Sequence, residues 1–374
     1  MDSQYVKLKH QAAGHAGTLS DKDGILVFKP TVKQEIDFLK ESQDRYYKDT
    51  ITESTDQDST EVLLGAWMPR YLGIIEEGDK KSSIDGSISS VYSIQRTKNE
   101  QPIVDSLVDF DTDEGNSSAN DNVTMKDNNE KPFIVLENLL HGYSKPNIMD
   151  IKLGKILYDE NASPEKKIRL QEVSDSTTSG SMGFRICGMK LQKNHLISTV
   201  SKDHFELDII EHDGENIEYV FLNKLYGRTR TPENIQEAFE LYFTNNDLTE
   251  KRKKQLITMF WQRLQLFYNT LLDEEIRLIS SSLLFVYEGD PEHWDYNQDE
   301  DLLLKPDFID KEVDSDDDDN GTVEKERKYS DVLSSMSLID FAHSKFVPGE
   351  GYDVNIIEGV EALLKIFEEM LRQH

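Results

Sequence analysis

Two long polar stretches interrupt this chain and limit how it can fold. Residues 77–131 are rich in Ser, Asp, Asn and Gly, and residues 296–332 are dominated by acidic side chains. Such segments carry too few apolar groups to offset the conformational entropy that folding costs. The remaining blocks, 1–76, 132–295 and 333–374, show helix or strand periodicity. We therefore expect one folded unit built from three blocks, with both stretches as disordered insertions at its surface.

The charge of the chain restricts its partners. Its 374 residues include 72 acidic and 42 basic side chains, which give a formal net charge of −30. Electrostatic binding to nucleic acid or to an anionic membrane surface requires clustered Lys and Arg. We expect no direct binding to nucleic acid, and any anionic substrate must bind in a local basic pocket.

Cysteine content and the lack of long apolar runs indicate the compartment. Cys187 is the only cysteine, so no intrachain disulfide can form and a reducing compartment is expected. The N-terminus has no apolar signal segment, and no run approaches the roughly 18 apolar residues of a membrane span. We predict a nuclear and cytoplasmic protein, neither secreted nor membrane-inserted. The basic run 251–254 is either a nuclear import signal or a solvated helix face.

The three blocks contain strands and helices in an α+β order. Apolar residues three and four apart predict helices, whereas β-rich or alternating runs predict strands. This order favours a small N-terminal β-rich layer and a larger C-terminal α+β layer. The predicted strands are 24–29, 133–136, 149–153, 282–287 and 336–341, and the predicted helices are 33–42, 255–277 and 354–371.

The run 149–153 alternates apolar and charged residues. Alternate side chains of a strand share a face, so Asp150 and Lys152 should lie together while the apolar residues enter the core. The pattern alone leaves two interpretations open: a salt-bridged surface pair, which is the simpler one, and a site that presents a carboxylate beside an ammonium group.

Phosphoryl transfer needs a cation for the nucleotide phosphates, a carboxylate for magnesium and a group that orients the hydroxyl, and the chain offers one candidate for each role. Lys29 ends a predicted strand, and Glu35 lies six residues on, where a helix would return it as an ion-pair partner. A strand-end Lys is more often a surface residue. Asp340 lies between Ile and Phe, where burial is costly unless the carboxylate is paired or bound to metal.

A nine-residue motif relates these residues to a known family. Pro146–Gly154 reads PNIMDIKLG and matches the P-x-x-x-D-x-K-x-G signature of the inositol polyphosphate kinase family. Gly14–His15 with Ile25–Lys29, Ser281–Leu284 and Ile339–His343 agree with that family in order and spacing. The chain resembles the family over nearly its whole length outside the insertions, and it is most similar to the fungal multikinases.

The resemblance implies a two-lobed, kinase-like α+β fold with ATP between the lobes. A small N-terminal β-rich lobe would span residues 1–137, including the disordered insertion at about 77–131. A larger C-terminal α+β lobe would span 138–374. It would contain an inositol phosphate-binding segment at about 155–190 and the acidic disordered loop at about 296–332.

The resemblance also implies an activity that uses ATP and Mg²⁺. The expected reaction converts inositol 1,4,5-trisphosphate to the tetrakis- and pentakisphosphates by phosphorylation at the 6- and 3-hydroxyls. A single-step trisphosphate 3-kinase or a hexakisphosphate kinase shares the motifs and remains an alternative. Lipid phosphoinositides are neither supported nor excluded as substrates.

Individual roles follow from the same resemblance. Asp150 would orient or deprotonate the attacking hydroxyl, Lys152 would neutralise phosphate charge, and Asp340 would hold the magnesium ion. The ATP-binding residues would be Lys29 at the phosphates and Glu137, Asn138 and Leu139 near the adenine and ribose. The substrate-binding residues would be Lys152, Lys155, Lys166, Lys167, Arg169 and His343. Three of them, Lys166, Lys167 and Arg169, belong to a short basic helix at 163–173. The alternative is that the charges of this helix are only solvated.

A second hypothesis is an interaction protein. Eleven acidic residues lie between Tyr296 and Asn320, against two Lys. Such a run repels itself, stays extended and could bind a basic partner through Asp316–Asp319. Fungal relatives are associated with arginine-responsive transcription complexes, so the resemblance implies transcription-factor partners and a role in regulating arginine metabolism. This role is compatible with catalysis.

Overall fold

The computed structural model describes residues 5–8, 12, 17–53, 62–75, 132–212, 214–308 and 329–373. The predicted insertion at 77–131 lies outside the described residues, as does the central part, 309–328, of the predicted acidic loop. The disorder predicted for these two ranges stays a prediction.

The N-terminal part of the chain forms a five-stranded antiparallel sheet with one long helix. The helix, α1 (Lys33–Glu53), follows the third strand. It extends beyond the predicted end at residue 42 because tertiary contacts continue it: the Gln43 side chain exchanges two hydrogen bonds with the backbone of Tyr71. The strands are β1 (Tyr5–Lys7), β2 (Leu19–Asp21), β3 (Leu26–Pro30), β4 (Tyr71–Ile75) and β5 (Phe133–Glu137), in the order β1-β2-β3-β5-β4.

The C-terminal part contains a six-stranded antiparallel sheet and most of the helices, which confirms the predicted α+β class. The sheet has the order β12-β11-β6-β7-β9-β8, and β10 pairs with β13 in a separate two-stranded sheet. The strands are β6 (Pro146–Leu153), β7 (Phe184–Gln192), β8 (Phe205–His212), β9 (Glu215–Leu222), β10 (Ile276–Ile279), β11 (Ser282–Glu288), β12 (Ser334–Ile339) and β13 (His343–Phe346). The helices are α2 (Pro164–Asp175), α3 (Thr178–Met182), α4 (Lys224–Arg228), α5 (Ile235–Phe243), α6 (Glu250–Asp273), α7 (Pro291–Tyr296) and α8 (Val354–Gln373).

The main core lies between one face of the six-stranded sheet and helices α5, α6 and α8. Phe285 of β11 stacks on Phe260 of α6 at a ring-centroid distance of 4.6 Å, and Phe239 of α5 meets Phe367 of α8 edge-to-face at 5.5 Å. Met149, Ile151 and Leu153 of β6 are fully buried, as the alternation predicts. The charged residues of β6 therefore lie on the opposite face, which we call the cleft face.

Helix α6 differs from its predicted bounds at both ends. It begins earlier, where the Thr249 side chain caps it by accepting a hydrogen bond from the backbone N–H of Arg252. It ends earlier too, because Ile276–Ile279 pairs with β13 as a strand. A short apolar run does not distinguish strand from helix, and the pairing partner decides.

The basic run 251–254 opens α6. Lys251 and Arg252 pair with Asp299 at 2.9 and 2.7 Å, and Lys253 pairs with Glu240 at 2.8 Å. In the described part of the chain, no helix has the length and apolar character needed to cross a membrane.

Candidate active site

The register of three strands assembles the cleft face. On one side of β6, Lys152 lies opposite Ser282 of β11; on the other, it lies opposite Arg185 of β7. The β6–β7 register shifts after Asp150, which is placed opposite Gly188. Residues paired across antiparallel strands point to the same side of a sheet, so Asp150, Lys152 and Arg185 share this face.

Lys29 connects the two sheets. Its Nζ donates to Asp340 Oδ1 at 2.6 Å and to Glu35 Oε1 at 2.8 Å. Glu35 is fixed in turn by the Thr31 hydroxyl at 2.7 Å and by the backbone N–H of Phe341 at 3.1 Å. Burial alone would lower the pKa of Lys29, but the carboxylates of Asp340 and Glu35 outweigh it and raise the pKa above its usual range. The strand-end Lys is thus a buried, permanently charged ammonium group rather than a surface residue.

Asp340 is held in an unusual backbone conformation directly after β12. Its φ is 65°, in the left-handed region that non-glycine residues seldom adopt. The Ser281 hydroxyl donates to its carbonyl oxygen at 2.8 Å and helps to fix this turn. Strain of this kind costs about 1–3 kcal/mol and is tolerated mainly where a site requires it.

Asp150 is a buried carboxyl group with an unsatisfied oxygen. The side chain is 6% exposed, and Oδ1 has no hydrogen-bond partner among the described residues. Burial raises the pKa of Asp150 to about 6, helped by repulsion from Asp340 and opposed by attraction to Lys152. The Ser282 hydroxyl lies near the Asp150 carboxyl group and lowers its pKa by favouring the ionised form. The geometry between the two groups does not meet the criteria for a hydrogen bond. Such a group can change protonation state near neutral pH.

A cleft cavity of about 640 Å³, open to solvent, lies above Lys152 and Asp340. It collects five of the predicted residues, namely Lys29, Lys152, Lys166, Asp340 and His343, whereas Asp150 is not part of its lining. Three lysines and a histidine meet here in a strongly acidic protein, as an anionic substrate requires. The lining is completed by Val32, Glu35, Leu157, Tyr158, Asp159, Ala162, Ile279, Ser280 and Ala342.

The remaining predicted substrate residues do not line this cavity. Lys155 pairs with Glu358 of α8 at 2.5 Å. Lys167 donates to the carbonyl oxygen of Glu160 at 2.7 Å, within its own loop and helix. Arg169, on the same helix α2, also lies outside the lining. The structure therefore brings Lys166 into the cleft and leaves these other three cations at its periphery.

A second cavity, which we call the hinge cavity, is open to solvent, with about 780 Å³ of empty space, and is lined by the predicted nucleotide residues Glu137, Asn138 and Leu139. Asn138 is positioned by its side-chain donation to the Gly24 carbonyl oxygen at 2.7 Å. The other lining residues are Ile25, His141, Tyr143, Lys305, Pro306, Phe308, Val332 and Ser335.

The first part of the predicted acidic loop is packed against the protein. We call residues 299–308 the anchor segment. The Asp301 carboxylate is buried and accepts hydrogen bonds from the backbone N–H groups of Leu333 and Ser334 at 3.2 and 3.0 Å. Asp307 forms a bidentate pair with Arg70, at 3.1 and 2.7 Å. Lys305 pairs with Glu137 at 2.5 Å. This end of the loop therefore has a defined structure and forms one wall of the hinge cavity.

Three residues of the site were absent from the sequence predictions. Arg185 is buried beside Lys152 and donates to the Ser179 hydroxyl at 3.1 Å. Asp159 holds His343 through a 2.6 Å contact to Nδ1. Lys305 reaches Glu137 from a segment that composition marks as disordered. The alternation of β7 could have placed Arg185 on the same face as Lys152. No sequence signal indicated the other two contacts, because Asp159 and His343 are separated by 184 positions in the chain and Glu137 and Lys305 by 168.

The donor set fits a magnesium–nucleotide complex. Within the described ranges, no group of three or more His, Cys, Asp or Glu residues could hold a metal ion by itself. Mg²⁺ in kinases is typically bound by one or two carboxylates, with nucleotide phosphates and water as the other ligands. Asp340 offers such a carboxylate, and Lys29 offers a cation for the phosphates.

Comparison with known proteins gives a consistent result. The family model described as "Inositol polyphosphate kinase" matches residues 133–368. The inositol polyphosphate multikinase of Saccharomyces cerevisiae is 48% identical over 98% of both chains, and that of Schizosaccharomyces pombe is 28% identical over 98% of this chain and 99% of its own.

A solved structure extends the similarity to three dimensions. The inositol phosphate multikinase Ipk2 of S. cerevisiae, crystallised with ADP and Mn²⁺, has a TM-score of 0.64 and 43% identity, covering 93% of this chain and 99% of its own. The two proteins therefore share one fold over this length. The chain belongs to the inositol polyphosphate kinase family.

Proposed function

We propose that this protein is an inositol polyphosphate multikinase, which transfers phosphoryl groups from ATP to inositol 1,4,5-trisphosphate and then to the tetrakisphosphate. The observation that carries the proposal is the Lys29–Asp340 ion pair between the lobes, 2.6 Å long, next to a buried carboxyl group with an unsatisfied oxygen. The relatives named above bear the multikinase name, and one of them binds ADP and Mn²⁺.

Each residue of the cleft has a distinct part in this reaction. Asp150, whose pKa of about 6 leaves it largely ionised at neutral pH, accepts the proton of the attacking inositol hydroxyl. Lys29 orients the nucleotide phosphates, and Lys152 neutralises charge on the group in transfer. Asp340 holds the divalent ion, which when bound neutralises phosphate charge and aligns the phosphoryl group.

The inositol phosphate would occupy the cleft cavity. Lys166 and His343 are among its lining residues, and Asp159 fixes the His343 ring through Nδ1, which leaves Nε2 for a substrate phosphate or hydroxyl. Arg185 adds a buried cation beside Lys152. A polyphosphate substrate needs such converging donors because charge-assisted hydrogen bonds to phosphate are the strong ones.

The decisive experiment is a product analysis. Wild-type protein is incubated with ATP, Mg²⁺ and inositol 1,4,5-trisphosphate, and products are separated by anion-exchange chromatography. We expect stepwise formation of tetrakis- and pentakisphosphate, lost in Asp150→Ala and in Asp340→Ala. Asp37→Ala, which removes an exposed carboxylate paired with Lys33, is the matched control and should retain activity. Arrest at the tetrakisphosphate would favour the single-step 3-kinase, and an inactive wild type would refute the proposal.

A second role, as a partner of basic transcription-factor proteins in arginine regulation, is supported by the charge of the chain and by the Asp316–Asp319 run. A nuclear and cytoplasmic location would suit both roles and is supported by the single cysteine, Cys187. Immunofluorescence of the tagged protein would test the location.

A further inference from the structure

Three buried polar atoms on the cleft face have no hydrogen-bond partner among the described residues: Asp150 Oδ1, Ser282 Oγ and Ser337 Oγ. They belong to the neighbouring strands β6, β11 and β12. Ser337 lies opposite Leu284, and Leu284 lies opposite Asp150, so one register row crosses all three strands. Side chains of such a row point to the same side of the sheet.

Unsatisfied buried hydroxyl groups are costly and uncommon in native proteins. Ser282 and Ser337 are each only 1% exposed. The Ser335 hydroxyl, two residues before Ser337 on the same face, accepts a 2.8 Å hydrogen bond from the Tyr143 hydroxyl. The contrast singles out Ser337 as a group that lacks a partner while its neighbour has one.

The position of Ser337 indicates which ligand would supply that partner. Ser335 lines the hinge cavity, and Asp340 lines the cleft cavity. Ser337 lies between them along β12, and alternate residues of a strand are about 6.6 Å apart. Ser337 itself lines neither cavity, but a nucleotide with its base in the hinge cavity and its terminal phosphates at Lys29 and Asp340 would run along this part of β12.

We propose that the Ser337 hydroxyl is a nucleotide-binding group that hydrogen-bonds the sugar–phosphate part of ATP. This inference rests on the proposed kinase function. The hydroxyl can both donate and accept, so it suits a phosphate oxygen or a ribose hydroxyl. Because the group is unsatisfied without nucleotide, it lowers the stability of the free protein and gains a partner only on binding.

This assignment predicts effects of opposite sign for one substitution. Ser337→Ala removes the unsatisfied hydroxyl, so the melting temperature of the free protein should rise by about 2–4 °C. The same change should raise the Kd for ADP with Mg²⁺, measured by isothermal titration calorimetry, by about three- to tenfold, the equivalent of one neutral hydrogen bond. If Ser337 had only a packing role, the substitution would not raise both the melting temperature of the free protein and the Kd for ADP.

Ser42 provides a matched control. It lies on α1, its hydroxyl is also buried without a partner among the described residues, and it is two helical turns beyond Glu35. Ser42→Ala should raise the melting temperature in the same way and leave the Kd for ADP unchanged.

The outcomes distinguish the two proposals. If wild-type protein fails to bind ADP with Mg²⁺, the kinase function itself is refuted. If wild type binds ADP and Ser337→Ala binds it equally well, the kinase function survives and the role of Ser337 is refuted. A lower melting temperature for Ser337→Ala would also refute it, because the hydroxyl would then have a stabilising partner in the free protein.

Discussion

At the scale of single residues, the most informative feature is the protonation of Asp150. Its pKa is raised to about 6, mainly by burial and then by Asp340. A buried carboxyl group with an unsatisfied oxygen destabilises the protein, so it is retained where chemistry needs it.

The first prediction concerns the pH dependence of catalysis. Asp150 must be ionised to accept a proton, so kcat should fall as the pH is lowered through about 6. The measurement is an initial-rate profile between pH 5 and 8 at saturating substrates. The Kd for ADP, measured over the same range, controls for titration of the ligand phosphates. A kcat that stays constant down to pH 5 would exclude Asp150 as the base.

The second prediction concerns stability. The folded-state pKa of Asp150, about 6, is above its unfolded value of 3.8, so the folded state binds the extra proton between these values. Stability is therefore lost as the pH rises through this window, by roughly 3 kcal/mol at neutral pH. Asp150→Asn should abolish activity and yet unfold at higher denaturant concentration than wild type at pH 8, with a smaller difference at pH 4. Equal midpoints at pH 8 would contradict this.

The third prediction tests the contact between Asp159 and His343. Asp159→Asn keeps the shape of the side chain and removes its charge, so His343 loses the carboxylate that fixes its ring. We expect a KM for the inositol phosphate about three- to tenfold higher, with the KM for ATP unchanged. Glu160→Gln is the control, because its exposed pair with Lys345 lies beside the same loop. A change in both KM values would indicate a general loss of structure.

At the scale of elements, the anchor segment connects the acidic loop to the nucleotide side of the cleft. It is held by ion pairs to α6, to β5 and to Arg70. Burial lowers the pKa of Lys305, and the Glu137 carboxylate offsets part of this effect. Glu137 also accepts a hydrogen bond from the backbone N–H of Arg70, so Lys305 stabilises the end of β5 where the adenine is expected.

The fourth prediction follows from this contact. Lys305→Met keeps the aliphatic stem and leaves the Glu137 carboxylate without its cation, which should distort the hinge cavity. The KM for ATP should rise about three- to tenfold while the KM for the inositol phosphate stays constant. Lys251→Met, which removes an exposed cation of α6 that pairs with Asp299 at the other end of the anchor segment, should change neither value. If both variants behave alike, the contact has no special role at the hinge.

At the scale of the whole molecule, a net charge of −30 coexists with a site for anions. The basic groups of the site are concentrated in one cleft, while a large share of the acidic residues lies in or next to the insertions. Such separation lets a local field attract phosphate although the distant field of the protein repels it.

The fifth prediction separates the two proposed roles at this scale. Excision of 311–320 should leave kcat and both KM values unchanged, since the anchor segment on one side and β12 on the other stay intact. The same deletion should weaken salt-sensitive binding to a basic probe such as polylysine, measured by fluorescence anisotropy. Asp340→Ala should show the reverse pattern. Loss of both properties in both variants would mean that the roles are not separable.

The sequence by itself determined the α+β class, most of the strand positions and the identity of Asp150, Lys152 and Asp340 as candidates. Local rules suffice there, because side chains of a strand alternate and a nine-residue motif fixes its own spacing. Lys29 and Glu35 are only six residues apart, so their ion pair was also open to prediction.

Only the tertiary structure decided which charges meet across the cleft. It paired Lys29 with Asp340, 311 positions away, turned Lys155 toward Glu358, and ordered the start of the acidic loop against Arg70 and Arg252. Such contacts depend on strand order and on desolvation of the paired groups, which the spacing of residues along a chain does not encode. The raised pKa of Asp150 has the same origin, because burial is a property of the assembled lobes.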